Sequence, residues 1–154
     1  MTNNDFRIVA LPTALADEAR KKAANRAPDH KISIVTDEQS APCRHCLTCA
    51  RPGEAVILFP YQAIPSNRPY AESGPVFVHA EACPRYDRPN EFPRELRNGR
   101  ALRAYNREAE IVAAEIANGA PEDTAARLLA DEAVDFLHVR SASHGCYTFK
   151  VERA

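Results

Sequence analysis

The pattern of apolar and polar positions predicts strands that alternate with helices from the start of the chain. Phe6 to Leu11 and Lys31 to Thr36 are rich in apolar and β-branched residues, which is typical of strands. Between them a helix is predicted to begin at Thr13. Thr13 is the expected N-cap, because a threonine hydroxyl accepts hydrogen bonds from the free N–H groups of a first turn. Pro28 is expected to end the helix.

The middle of the chain has a different character. Nine of the twelve prolines lie between Pro42 and Pro93, so short elements separated by loops are expected there. Two nearly continuous apolar runs, Ala55 to Phe59 and Val76 to Val78, predict strands covered on both faces near the middle of a sheet. If these strands are neighbours, the residues that flank them meet at one end of that sheet.

The last part of the chain predicts six further elements. These are a short helix from Glu91 to Asn98 closed by Gly99, a strand pair at Ala101 to Tyr105 and Glu110 to Ile116, a helix beginning at Pro121, and a hairpin of Val134 to Arg140 with Cys146 to Val151. The alanine-rich second member of the strand pair is also compatible with a helix. The sum is an α+β fold, a mostly antiparallel mixed sheet with two main helices, in a single compact domain of residues 1–154.

Charge changes this picture only locally. The net charge is -1, so the chain as a whole gives no electrostatic reason to expect nucleic acid or an anionic membrane as a partner. Residues 85–107 nevertheless contain seven arginines and three acids, and residues 108–135 contain eight acids and only Arg127. These segments are either mutually attracting surfaces, or the arginines form an anion site.

The thiols indicate the compartment and the chemistry. Residues 1–5 contain no basic leader, and no apolar run approaches the ~18–20 residues that cross a bilayer. A cytoplasmic location is therefore expected, where thiols stay reduced. Five cysteines cannot form a complete disulfide framework, and their clustering indicates metal or redox chemistry.

Four candidate metal ligands lie in two short segments. Cys43-x2-Cys46 lets two thiolates bind one ion from a tight turn, and His79-x3-Cys83 supplies a distant second pair. The predicted ligands of a tetrahedral zinc site are therefore Cys43, Cys46, His79 and Cys83, with Cys49 as a substitute for His79.

Other interpretations of the same cysteines stay open. Cys43, Cys46 and Cys49 match the first three ligands of a ferredoxin-type iron–sulfur run, although its local fourth cysteine is missing. A zinc deaminase would use Glu81 as proton shuttle, but the two halves of its motif occur here in reversed order. A redox pair of Cys43 and Cys46, or simply buried thiols, are further alternatives.

The remaining candidates have simpler interpretations. His138 lies within an apolar strand and is expected to be a core histidine. His144 and Cys146 flank Gly145 in the closing hairpin and are expected to be turn residues.

Several short blocks resemble domain-of-unknown-function family 1203. They are CRHCL from Cys43, PGE from Pro52, PYAESGPVFVHA from Pro69, LRAY from Leu102 and GCY from Gly145. The resemblance covers almost the whole chain and implies a bacterial protein with one domain and no assigned activity. It also implies that Cys43, Arg44, Cys46, His79 and Cys83 occupy motif positions.

Two functional hypotheses follow. The first is a cytosolic bacterial domain with one structural zinc held by the Cys/His cluster. The second is a small enzyme or ligand-binding domain for an anionic small molecule, which would use Arg44, His79 and the arginine-rich segment 85–107.

Overall fold

The computed structural model describes residues 6–154 and contains two helices and eight strands. In chain order the elements are β1 (Phe6–Val9), α1 (Thr13–Ala24), β2 (Lys31–Ile34), β3 (Ala55–Ile64), β4 (Glu72–His79), β5 (Arg100–Tyr105), β6 (Ile111–Ala117), α2 (Pro121–Leu129), β7 (Phe136–Ser141) and β8 (Tyr147–Arg153). Residues 1–5, where no leader peptide is predicted, lie outside the described residues. Within residues 6–154, neither helix has the length and apolar character needed to cross a membrane.

The strands form two antiparallel sheets. The first has the order β1-β8-β7-β5-β6, and the second has the order β2-β3-β4. The predicted α+β class and the antiparallel pairing are thus confirmed, although the strands are divided between two sheets. The predicted pair β5 and β6 is present, and its alanine-rich member is a strand.

The main core lies between α2 and one face of the five-stranded sheet. Alternate strand residues point into it, as the two-residue period of a strand requires. Leu102, Leu137, Val139 and Phe149 are fully buried there. Helix α2 packs Ala125 and Leu128 against them, so its apolar stripe closes this side of the molecule.

A second core lies between α1 and the three-stranded sheet. Ala16, Ala19 and Ala23 occupy one face of α1, and their small side chains allow the helix to lie close to the strands. Ile57 of β3 and Val78 of β4 are buried beneath them. Strands β3 and β4 are the two predicted from the apolar runs, and they are neighbours with Val56 opposite His79. This pairing places the start of β3 and the end of β4 at one end of the sheet.

The prediction of a Thr13 N-cap is wrong. The helix begins at Thr13, so the capping position is occupied by Pro12, which makes no side-chain capping hydrogen bond. The Thr13 hydroxyl instead lies 2.8 Å from Nε2 of His45. The helix ends at Ala24, before Pro28, and the backbone turns at Arg26 with a φ of 58°.

The predicted short helix from Glu91 to Asn98 is absent from the described residues, which form turns and bends there. Pro93 lies within this stretch and has no N–H to donate to a helix. Its carbonyl accepts one turn hydrogen bond, of 2.9 Å from the N–H of Leu96. Gly99 has the left-handed φ of 65° expected of a closing glycine, although no helix precedes it.

Candidate metal centre

A tight loop holds the first two candidate ligands. Pro42 and Cys49 form a bridge across its base, and the N–H of Cys43 donates to the carbonyl of Thr48 at 3.0 Å. The N–H of Leu47 donates to the carbonyl of Cys43 at 2.8 Å, and Leu47 adopts a left-handed φ of 57°. We call residues 42–49 the metal loop. These backbone bonds fold it so that Cys43 and Cys46 present their sulfur atoms together.

The metal loop docks on the free edge of β4. Cys43 forms a parallel bridge with Phe77, and the N–H of Arg44 donates to the Phe77 carbonyl at 2.9 Å. Because β4 ends two residues later at His79, the loop meets the second ligand segment directly. Cys83 follows in an irregular segment that leaves the same end of the sheet.

The four predicted ligands come together. One ligand atom from each of Cys43, Cys46, His79 and Cys83 lies within 4.8 Å of all the others. The sulfur atoms of Cys43 and Cys83 are 3.8 Å apart, and the sulfur of Cys46 is 3.4 Å from Nδ1 of His79. A tetrahedral zinc site with Zn–S of about 2.3 Å and Zn–N of about 2.0 Å has S–S edges of about 3.8 Å and S–N edges of about 3.5 Å. The spacing therefore fits a tetrahedral ion.

The other nitrogen of His79 also has a partner. Nε2 lies 3.4 Å from a carboxylate oxygen of Glu54. A carboxylate that accepts the second N–H of a histidine ligand fixes its tautomer and its ring orientation, which is common at zinc sites. When an ion occupies the cluster, this contact would keep the proton on Nε2 and leave Nδ1 of His79 free to bind the ion.

Cys83 is surrounded by hydrogen-bond donors. Nδ1 of His45 lies 3.2 Å from its sulfur, and Nη2 of Arg20 lies 3.6 Å from it. A thiolate accepts hydrogen bonds, so the fitting tautomer of His45 donates from Nδ1 and accepts the Thr13 hydroxyl proton at Nε2. Arg20 also donates to the carbonyl of His79 at 3.1 Å. Both side chains therefore orient the site, and Arg20 also places positive charge beside the sulfur.

The proximity of the groups shifts their acidity. Hydrogen bonds from Cys46, Cys83 and the ring of His79 hold the pKa of Cys43 well below its usual range. The same closeness to the ionised Cys43 raises the pKa of Cys83. Hydrogen bonds to Cys43 and Cys46 raise the pKa of His79 to about 10. The protonation of Cys43, His79 and Cys83 is therefore coupled. A divalent cation would displace protons from the cluster on binding.

Cys49 and Cys146 lie apart from this cluster. Cys49 is buried in the main core, where burial raises the pKa of its thiol to about 11. Its N–H donates to Glu95 at 3.0 Å. The ferredoxin-type interpretation therefore loses Cys49 as its third ligand. The cluster contains His79 and not Cys49, which was its predicted substitute. Cys146 lies next to the hairpin turn, as predicted.

The cavity beside the cluster bears on the deaminase hypothesis. It has a volume of about 390 Å³ and is lined by His79, Cys83, Glu81 and Glu54 among others. Cys43-x2-Cys46 lies in a loop and not at a helix N-terminus. This arrangement therefore differs from that of the deaminase hypothesis, whose motif also has its two halves in the opposite order.

Arg44 lies in the interior, away from any surface where a ligand would bind. It is 3% exposed, and its guanidinium donates to the carbonyls of Tyr147 and Pro42 at 2.8 Å and 2.6 Å. His79 belongs to the cluster, and three of the seven arginines of segment 85–107 line a different cavity. Arg44 lines neither cavity, so the structure does not place Arg44, His79 and these three arginines around one cavity.

The sequence interpretation missed the residues around the ligands. His45 lies inside the Cys-x2-Cys motif, so its position was the available signal. Nothing local indicates that Thr13, Arg20 or Glu54 belongs to the site, because all three reach it through tertiary contacts. His138 is a buried core histidine, as predicted, and is 2% exposed.

Comparison with known proteins identifies the family. The model of a family described as protein of unknown function (DUF1203) matches residues 40–153, which include all four clustered ligands. No curated protein and no solved structure matches the chain. The chain belongs to the DUF1203 family.

Proposed function

We propose that this protein binds one structural zinc ion through Cys43, Cys46, His79 and Cys83. The supporting observation is that four soft ligands from three separate segments converge with tetrahedral spacing. Thiolate and imidazole ligands select zinc over hard cations such as Mg²⁺ and Ca²⁺. Four protein ligands close the coordination sphere, so the ion stabilises the fold and does not activate water.

The surroundings favour a charged metal complex at this place. Three thiolates, one neutral imidazole and Zn²⁺ carry a net charge of -1. Arg20 lies beside Cys83 and offsets that charge. The N–H of His79 lies 3.4 Å from the sulfur of Cys43 and His45 lies next to Cys83, so two of the sulfur atoms have hydrogen-bond donors. These contacts orient the ligands and distribute the charge.

The structural role follows from what the ion joins. The metal loop, the end of β4 and the irregular segment after it meet at the cluster, in the proline-rich part of the chain. Among the described residues, 81–85 make no backbone–backbone hydrogen bond, so the metal–ligand bonds would supply stability there that regular structure would otherwise give. All five cysteines are free thiols, and a cytoplasmic location, where thiols stay reduced, is part of this proposal.

Substitution of single ligands tests the proposal. The purified protein is expected to contain about one zinc per chain by elemental mass spectrometry. Cys43→Ser and Cys83→Ser are each expected to lose the ion and to lower the melting temperature by roughly 10 °C, since 1 kcal/mol corresponds to about 2–4 °C in a domain of this size.

Cys146→Ser is the matched control, because it removes a thiol outside the cluster. It is expected to keep the zinc and most of the melting temperature. Unchanged zinc content and unchanged melting in both ligand variants would refute the site.

A further inference from the structure

A second cavity lies between the metal loop and the arginine-rich segment. Its volume is about 590 Å³, which falls within the range of about 300–1,000 Å³ typical of small-molecule sites. One wall is formed by Leu47 and Thr48 of the metal loop, followed by Arg51. The opposite wall is formed by residues 86–97. None of the four metal ligands lines it.

Four arginines line this cavity, and two of them are already engaged. Arg97 donates two hydrogen bonds of 2.6 Å to the carboxylate of Glu122. Arg88 pairs with Glu91 at 2.8 Å on the exposed rim. The carboxylates of Glu122 and Glu91 are therefore largely neutralised by Arg97 and Arg88.

The other two arginines are free to bind an anion. Arg51 and Arg94 are exposed, and within residues 6–154 neither guanidinium has an acidic partner. Glu95 is the remaining acid of the lining, and one of its oxygens accepts the N–H of Cys49. An unpaired guanidinium binds phosphate or carboxylate through two parallel hydrogen bonds, and two such groups at one cavity favour an anion strongly.

The same cavity has an aromatic surface. The ring of Tyr86 is half-buried and lines the cavity, and its hydroxyl is already bonded to the carbonyl of Glu91. Leu47 and Phe92 also border the cavity but are almost fully buried, with 2% and 1% of their surface exposed, so they offer a ligand little surface. An aromatic ring beside cationic side chains is complementary to a molecule with an apolar body and an anionic end.

Backbone contacts hold the two walls at a fixed distance. The N–H of Tyr86 donates to the carbonyl of His45 at 2.9 Å, and the N–H of Cys49 donates to Glu95 at 3.0 Å. The accepting residue His45 and the donating residue Cys49 both belong to the metal loop. The cavity is thus formed before any ligand arrives, which reduces the entropic cost of binding.

We propose that this cavity binds a small organic anion, with its apolar or aromatic body against the ring of Tyr86 and its phosphate or carboxylate group on Arg51 and Arg94. The proposal goes beyond the structural zinc site and rests on it only because the metal loop forms one wall. Neither Arg44 nor His79 takes part, in contrast to the hypothesis drawn from the sequence.

Isothermal titration calorimetry with 1-naphthyl phosphate tests this site on the full-length protein. One molecule is expected to bind per chain, more tightly than either inorganic phosphate or neutral 1-naphthol, because each of these lacks one half of the recognised structure. Arg51→Ala/Arg94→Ala is expected to raise the Kd at least about tenfold, because it removes both charge-assisted hydrogen-bond donors from the cavity.

The control is Lys21→Ala/Arg68→Ala, which also removes two positive charges, but from exposed positions outside the cavity. It is expected to change the Kd less than about twofold. No binding at about 1 mM probe, equal weakening by the two double variants, or equally tight binding of 1-naphthol would overturn the proposal.

The zinc content of each sample separates this proposal from the structural one. Both double variants are expected to retain zinc, because none of the four substituted residues touches the cluster. If the unsubstituted protein contains zinc but does not bind 1-naphthyl phosphate, that result would contradict the anion site alone. Specific binding in a protein that never contains zinc would contradict the metal site alone.

Discussion

Arg44 and His138 are polar side chains that lie almost wholly in the interior. Arg44 is a motif residue, and its hydrogen bonds to the carbonyls of Pro42 and Tyr147 tie the metal loop to the start of β8. Burial lowers its pKa to about 10, which still leaves it charged at neutral pH. A charged group taken out of water must be hydrogen-bonded, so these two carbonyls explain why an arginine is tolerated there.

His138 is buried for a different reason. Its ring packs against those of Tyr105 and Tyr147, with centroid distances of 4.9 Å and 4.7 Å. Burial, and then the positive charge of Arg140, lower its pKa from 6.5 to about 3. Lys150 and Arg103 lower the pKa further. The folded protein therefore holds this histidine neutral.

This shift predicts a specific loss of stability in acid. The unfolded chain takes up a proton at His138 below about pH 6.5, whereas the folded chain does so only near pH 3. The free energy of unfolding is therefore expected to fall as the pH drops through this window, by up to roughly 1.4 kcal/mol per pH unit from this group. Urea titrations of the unsubstituted protein and of His138→Gln between pH 7 and pH 4.5 measure it.

The difference between the two proteins isolates the histidine, because protonation of the metal ligands affects both equally. The stability of His138→Gln is expected to depend less on pH. Parallel curves for the two proteins would show that His138 has no such role.

At the scale of elements, α1 is connected to the metal loop through one hydroxyl. Thr13, the first residue of the helix, bonds His45, and His45 bonds Cys83. Arg20, almost two turns later, reaches Cys83 and the carbonyl of His79. The helix thus supports the cluster with side chains from one face, in addition to covering the three-stranded sheet.

Thr13→Val tests this connection. Valine keeps the shape of threonine and removes the hydroxyl, so His45 loses the partner that fixes its tautomer. Zinc affinity, measured by competition with a chromogenic chelator, is expected to fall about tenfold, the lower end of the effect typical for residues behind a metal ligand. Helix content by circular dichroism is expected to stay unchanged, because Thr13 is not the cap.

A loss of helix with unchanged zinc affinity would instead restore the N-cap interpretation. Leu15→Ala is the matched control on the same helix. Leu15 is 37% exposed, and its side chain has no atom that could replace the Thr13 hydroxyl as the hydrogen-bond partner of His45.

The elements and the ligands differ in how far the sequence predicts them. The spacing of Cys43, Cys46, His79 and Cys83 was sufficient to predict which four side chains cluster, because thiolate and imidazole pairs have few other uses in such a pattern. The apolar runs of β3 and β4 were sufficient to predict the two strands, whereas their pairing entered only as a condition. The division into two sheets was not predictable, because strand pairing joins residues far apart in the chain and leaves no local pattern.

The error at Glu91 to Asn98 has a similar origin. The polar composition of that stretch is compatible with a helix, but its conformation is set by distant contacts. Glu122 of α2 accepts bonds from the N–H of Phe92 and from the guanidinium of Arg97. Phe92 and Leu96 are buried in the main core. Tertiary packing therefore overrides local propensity there.

At the scale of the whole molecule, β4 is held at both ends. Glu72, its first residue, binds the buried guanidinium of Arg140 through both oxygens, with one contact at 2.7 Å, and so joins the three-stranded sheet to β7 of the five-stranded sheet. His79, its last residue, belongs to the metal cluster. Tyr61 and Tyr147 pack between the sheets with their ring centroids 5.4 Å apart. The two sheets are therefore joined through an ion pair and an aromatic contact.

The proposed zinc site and the anion cavity share the metal loop, which forms one wall of the cavity. X-ray absorption at the zinc edge of the purified protein tests the site most directly. The predicted spectrum has three sulfur neighbours at about 2.3 Å and one nitrogen neighbour at about 2.0 Å. A shell dominated by oxygen or nitrogen, or fewer than three sulfurs per zinc, would contradict the proposed coordination by Cys43, Cys46, His79 and Cys83.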